Sequence, residues 1–139
     1  MTLRVIPGVF SLIMKQTILK ECVQIAREKN LQRDSDFRHF SFIIQRNKLL
    51  EWGTNVSKVP PLIHFGYPKT SGRHSEENAY RKAKGILEDG SFEVINIRLN
   101  KLGNLRLSKP CKCCHAFLKE LGCSYVHFST DVGFARLRL

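Results

Sequence analysis

Acidic residues are scarce in this chain: 12 Asp and Glu stand against 23 Lys and Arg, giving a formal net charge of +11. Between Val94 and Lys119 there is no acid at all, while Arg98, Lys101, Arg106, Lys109, Lys112 and Lys119 all fall there. Such an excess favours an anionic partner, nucleic acid or a phosphorylated nucleotide, although a generic basic surface also fits it. Also lacking is any run of 18 uncharged apolar residues, so no membrane span is expected. Residues Met1 to Met14 place Arg4 ahead of Val9-Phe10-Ser11-Leu12-Ile13 but have no small-residue cleavage site of the secretory kind. They read as a poorly ordered extension over 1–13, with a single folded domain over 14–139. No internal repeat, low-complexity tract or Arg-rich tail interrupts that domain. The five cysteines are odd in number, and Cys111, Cys113 and Cys114 crowd together. That is metal spacing, not a disulfide framework, and it points to a reducing, cytoplasmic setting.

What is present begins with an amphipathic helix over 13–29, where Ile18, Cys22, Ile25 and Ala26 recur at helical spacing and Asn30 is a stop. His39 to Gln45 and Lys48 to Gly53 flank Arg46-Asn47 as a hairpin. Thr54 to Arg73 carries Pro60, Pro61, Pro68, Gly66 and Gly72, so a long loop is expected, and long loops are commonly functional. A helix is expected over 75–89, with Ala79, Ala83, Ile86 and Leu87 on its buried side. Phe92 to Leu99 is a strand, which Leu102 to Leu107 either extends or pairs with across Asn100-Lys101. Pro110 is expected to open a further helix, with Phe117, Leu118 and Leu121 buried and Gly122 ending it. Tyr125 to Ser129 and Phe134 to Leu137, joined by a turn at 131–133, complete the list.

Two of these helix starts carry the chemistry. His74-Ser75-Glu76 and, further on, Pro110-Cys111-Lys112-Cys113-Cys114 form H-x-E…P-C-x-x-C, the signature of zinc-dependent nucleobase deaminases. One His and two Cys leave the fourth tetrahedral position of Zn²⁺ open for water, whose pKa a catalytic zinc lowers to about 7. Glu76, two residues from a ligand, is placed to move protons between that water, a ring nitrogen and departing ammonia. Helix N-termini favour both the thiolates and the metal. A glutamate in a first helical turn is also common for dipole reasons alone. A closed structural zinc knuckle using Cys113 or His115 as an extra ligand is the other reading of the cysteines, but it leaves Glu76 and Pro110 unexplained. Cys113, turned about 100° from its neighbours on a helix, reads as a buried thiol.

With these residues the chain resembles the cytidine deaminase superfamily from about Met14 to its end. The resemblance implies a three-layer α-β-α fold of the α/β class, a mixed five-stranded sheet with helices on both faces. It further implies Zn²⁺ bound by His74, Cys111 and Cys114, with Glu76 as the catalytic acid-base. Gly53-Thr54-Asn55 ends the second strand where the family commonly has a sugar-binding Asn, which implies that role for Asn55. Ser75 is implied as a base contact through its backbone N–H. The space between Phe128 and Gly133 excludes a helix, so the last two strands are expected antiparallel, as in the C-terminal hairpin division. That division holds free-nucleoside cytidine deaminases and deaminase toxins, which ranks adenine behind cytosine.

The expected activity is conversion of cytosine to uracil in a nucleoside, a nucleotide or single-stranded DNA or RNA, in nucleotide metabolism or nucleic acid editing. Phe65 and Tyr67 in the long loop are candidates to stack on a base. A homo-oligomer is compatible with the sequence. The competing class is a non-catalytic, zinc-stabilised module that binds nucleotide or nucleic acid.

Overall fold

The computed structural model describes residues 16–31, 38–56 and 73–139. Strand β1 (His39–Gln45) turns through Arg46 and Asn47 into β2 (Lys48–Thr54). Both turn residues have positive φ, 52° and 60°, as a two-residue hairpin matched to strand twist demands. β3 (Phe92–Leu99) lies antiparallel to β1 on its other side, and β5 (Cys123–Thr130) lies parallel to β3. β6 (Gly133–Arg138) returns antiparallel to β5, so the sheet runs β2-β1-β3-β5-β6. The mixed sheet and the terminal hairpin are as expected. A sixth strand, β4 (Leu105–Arg106), departs from the expected five: Leu99 and Arg98 pair with Leu105 and Arg106, so the chain after β3 folds back upon it.

The alternation of side chains along β1 and β3 builds two cores, one on each face. Phe40, Phe42, Ile44, Ile95, Ile97 and Leu99 meet Ile18, Leu19, Cys22, Val23 and Ala26 of α1 (Gln16–Asn30). On the opposite face Ile43, Val94, Val126 and Phe128 meet Ala79 and Ala83 of α2 (Ser75–Ala83) and Phe117 and Leu118 of α3 (Lys112–Glu120). Each fully buried Phe, Ile or Leu contributes about 1.5–3 kcal/mol, so both layers are held mainly by apolar burial.

Two boundaries differ from the expectation. α2 ends at Ala83, short of the expected Asp89, and a turn over 84–86 follows. Ile86, assigned to the buried side, is 54% exposed. The chain leaves the helix early because Gln45 at the end of β1 receives it: Gln45 Oε1 accepts from the Glu88 N–H at 2.8 Å and its Nε2 donates to the Glu88 carbonyl at 2.9 Å. α3 starts at Lys112 with Cys111 as its N-cap, so Pro110 precedes the helix and does not occupy its first turn. Gly122, with φ +94°, ends the helical segment as expected. The proposed extension over 1–13 lies outside the described residues.

β2 and α2 approach each other unusually closely at Gly53, where a Cβ would stand 2.6 Å from the backbone nitrogen of Ala79. Asn78 Nδ2 reinforces the approach by donating to the Thr54 carbonyl at 2.6 Å. Beyond Asn55 the chain pairs with the segment entering α2, through two backbone hydrogen bonds of 2.9 and 2.8 Å between Val56 and Arg73. That bridge fixes the backbone immediately ahead of His74. Among the described residues no helix is long and apolar enough to cross a membrane.

Candidate functional site

The N-caps of α2 and α3 are His74 and Cys111, residues that rarely serve as caps. His74 has extended backbone angles and makes no side-chain cap bond, so its ring is committed elsewhere. His74 Nδ1 lies 3.7 Å from Cys111 Sγ and 3.3 Å from Cys114 Sγ. The ligand atoms of these three residues all fall within 4.8 Å of one another. Tetrahedral Zn²⁺ with ordinary Zn–N and Zn–S bonds separates nitrogen from sulfur by about 3.6 Å and sulfur from sulfur by about 3.8 Å. The observed spacings therefore fit a single zinc ion, with Nδ1 of the imidazole facing the metal position.

The electrostatics of the cluster favour the ligating forms. The hydrogen bond with the Cys114 thiol, helped by His74 and by the Cys114 backbone N–H, brings the Cys111 thiol down to about 3 against the opposing effect of burial. That backbone N–H reaches Cys111 Sγ at 3.4 Å, the cap bond of α3. The hydrogen bond with Cys111 raises the His74 imidazole above its ordinary value; burial opposes this, and the charges of Cys111, Glu76 and Glu77 add to it. Cys113 does not join the cluster. At the second position of α3 it is half-exposed, not buried as expected.

Glu76 is 7% exposed at the second position of α2, beside the cluster. Its two carboxylate oxygens are held separately: Ser75 Oγ donates to Oε1 at 3.1 Å and Asn96 Nδ2 donates to Oε2 at 3.0 Å. Asn96 and Ser75 are joined through Ser41, whose Oγ is 2.6 Å from Asn96 Oδ1 and 2.8 Å from Ser75 Oγ. Asn96 Nδ2 also approaches the Ser108 carbonyl at 3.4 Å, and Ser108 Oγ donates to the Asn96 carbonyl at 2.8 Å. Ser41 of β1, Ser75 of α2, Asn96 of β3 and Ser108 thus form a closed, buried polar network around the glutamate. Ser41, Asn96 and Ser108 were not among the expected site residues. Their signal was present: Asn96 occupies the same side of β3 as Phe92 and Val94, and a buried polar residue at such a position calls for a partner.

Asn55 follows β2, where its Oδ1 accepts from the His39 N–H at 3.3 Å. Extending the Val56–Arg73 bridge by one residue puts Asn55 opposite His74, so the structure brings Asn55 to the edge of the cluster. Phe65 and Tyr67 lie outside the described residues.

No protein-family model and no curated protein matches the sequence. Among solved structures, the dCMP deaminase from the cyanophage S-TIM5 in its apo form is similar at 17% identity and TM-score 0.55, over 83% of this chain and 84% of that one. The same enzyme in complex with dCMP and dUMP gives TM-score 0.53 at 17% identity, over 83% and 82%. The chain has the cytidine deaminase-like fold of these neighbours, with its His74, Cys111 and Cys114 cluster at the two helix starts.

Proposed function

We propose that this chain is a zinc-dependent hydrolase that converts cytosine to uracil in a nucleoside, nucleotide or single-stranded nucleic acid. The observation that carries the reading is a ligand triad of zinc dimensions with a buried glutamate, Glu76, two residues past His74 in the first turn of α2. His74, Cys111 and Cys114 would hold Zn²⁺, which supplies Lewis acidity and lowers the pKa of water bound to it. Glu76 carries protons: it takes one from the attacking water and delivers it to the ring nitrogen, then takes the remaining hydroxyl proton as the C=O forms and passes it to the amine that leaves as ammonia. In the balance the C–N bond breaks, a C=O bond forms, and one water is consumed. Ser75 and Asn96 keep the carboxylate in one orientation between these transfers. Asn55 contacts the sugar, and the Ser75 backbone N–H contacts the base. The similar cyanophage enzyme was captured with dCMP and dUMP, a pair that differs by this replacement, and this supports cytosine as the base.

Ammonia release from cytidine, dCMP, single-stranded DNA and single-stranded RNA by the zinc-loaded protein tests the reading. At least one substrate is expected to react, and Glu76→Gln is expected to lose about 10²–10⁴-fold in rate while keeping its zinc. A zinc-loaded chain inert on all four would overturn it. So would a Glu76→Gln variant as active as the parent, which is what a zinc-stabilised binding module predicts for its ligand affinity.

A further inference from the structure

Beyond the zinc cluster, β3 and β4 build a second site of different chemistry. Arg98 and Arg106 are paired directly across these two strands and, by the alternation of the strands, share the face that carries Asn96 and Ser108. With Lys101, Leu107 and Asp131 they line a pocket of about 320 Å³. Like charges directly opposite on adjacent strands repel and cost stability. The one acid at this pocket offsets little of that, since Asp131 Oδ1 stands 3.8 Å from Arg106 Nη1 with both side chains largely in water. Such an arrangement is stabilised by an anion between the two guanidinium groups, and planar guanidinium forks match phosphate oxygens.

The cations also continue past the pocket. Arg98, Lys101, Arg106, Lys109 and Lys112 are all exposed, and they run from the end of β3 to the first turn of α3, beside Cys111. A single nucleotide brings one phosphate group, which two or three cations neutralise. Five cations along one edge match a repeating anion. Leu107, 55% exposed at the pocket, adds an apolar wall on which a sugar or base can lie.

We propose that the Arg98–Arg106 pocket binds a phosphodiester of a single-stranded polynucleotide flanking the nucleotide held in the zinc site. This rests on the cytosine-deaminase reading for what occupies the zinc site, but the pocket is testable without turnover. A fluorescent oligothymidylate and an oligouridylate, which contain no cytosine, serve as probes for the zinc-loaded protein across a range of salt concentrations. Each phosphate neutralised contributes about 0.7 to the slope of log affinity against log salt for single strands. Arg98→Gln/Arg106→Gln, which releases that one phosphate, is therefore expected to reduce the slope by about 0.7 and to weaken binding about 5-fold at roughly 0.1 M salt. Lys20→Gln/Lys29→Gln on exposed positions of α1, across the sheet, removes the same charge and is expected to leave the slope within about 0.3 of the parent. Arg98→Lys/Arg106→Lys retains the charge and should restore most of the slope, which guards against a folding defect in the Gln variant.

Equal slopes for the Arg98/Arg106 and Lys20/Lys29 variants would overturn the assignment. A loss of dCMP turnover as large as the loss of oligonucleotide affinity would also overturn it, because the pocket would then serve the nucleotide's own phosphate. Arginine-dependent oligonucleotide binding by a protein that releases no ammonia from any substrate would support the pocket while sinking the deaminase reading.

Discussion

Toward α1, strands β1 and β3 present Phe40, Phe42, Ile44, Ile95, Ile97 and Leu99, side chains of hydrocarbon with no hydrogen-bonding group. Toward α2 and α3 the same two strands place Ser41 and Asn96 beside Ile43 and Val94, equally buried. The two faces are therefore alike in burial and opposite in what the burial accomplishes. On the α1 face it supplies stability by removing apolar surface from water. On the other it takes four polar groups out of water and makes each the partner of another, which leaves Glu76 with both oxygens fixed. A polar side chain can be kept inside only where its partners are kept with it. The chain concentrates that requirement at one place, next to the ligand triad.

Substitutions should separate the faces. The largest effect is expected from Cys114→Ser, which removes a buried zinc ligand: bound zinc measured by atomic absorption should fall from one equivalent to none, activity should fall to background, and the variant should no longer be sensitive to chelators. Retention of stoichiometric zinc would show that the metal position is elsewhere. Next, Phe42→Ala should lower unfolding stability by about 3–5 kcal/mol, read from chemical denaturation, with kcat of the folded fraction unchanged. Asn96→Ala inverts that pattern. It should cost about 1–3 kcal/mol by leaving buried partners unsatisfied and should lower kcat by about 10–100-fold with little change in KM, the equivalent of one charge-assisted hydrogen bond. If both variants lowered stability and kcat in the same proportion, the two faces would not be functionally distinct.

The cysteines sharpen the contrast at smaller energetic cost. Burial among apolar side chains, with some help from Glu21, pushes the Cys22 thiol far up on the α1 face, and burial pushes Cys123 up to about 12. Cys111, by contrast, is held near 3. In the metal-free protein near pH 5, iodoacetamide is therefore expected to label Cys111 and spare Cys22 and Cys123, as peptide mapping would show. Stability follows the same shifts with opposite signs. The Cys111 thiolate contributes fully above its ordinary value of 9.0, and that contribution is lost as pH falls toward about 3. The His74 contribution is complete below 6.5 and is lost as pH rises through the elevated value. Thermal melts of metal-free Cys111→Ser should lack the acid-side loss that the parent shows.

Much of this was legible in the sequence because it rests on local rules. Arg46-Asn47 set the hairpin, Gly122 ended a helix, and the spacing of His74, Cys111 and Cys114 singled out three side chains that the fold brings together. Less legible was whatever depends on a partner far along the chain. Ile86 and Leu87 continue the helical pattern of α2, and only the reception of Glu88 by Gln45 shows why the helix stops first. Pro110 fits the first turn of a helix by its fixed φ, yet Cys111 takes the cap because its sulfur accepts the Cys114 N–H. Asn96 is a single amide in an apolar strand, and its role exists only once Ser41, Ser75 and Glu76 come together from two other elements.

The Val56–Arg73 bridge carries a consequence for engineering. Its two hydrogen bonds, with Gly53 seated against α2 and Asn78 holding Thr54, tie the backbone at Thr54, Val56 and Arg73 to the strand and helix that carry the cluster. An engineer seeking to keep His74 in place should therefore preserve Gly53, Thr54, Val56, Arg73 and Asn78 as a set, since each fastens the approach to α2 at a different point.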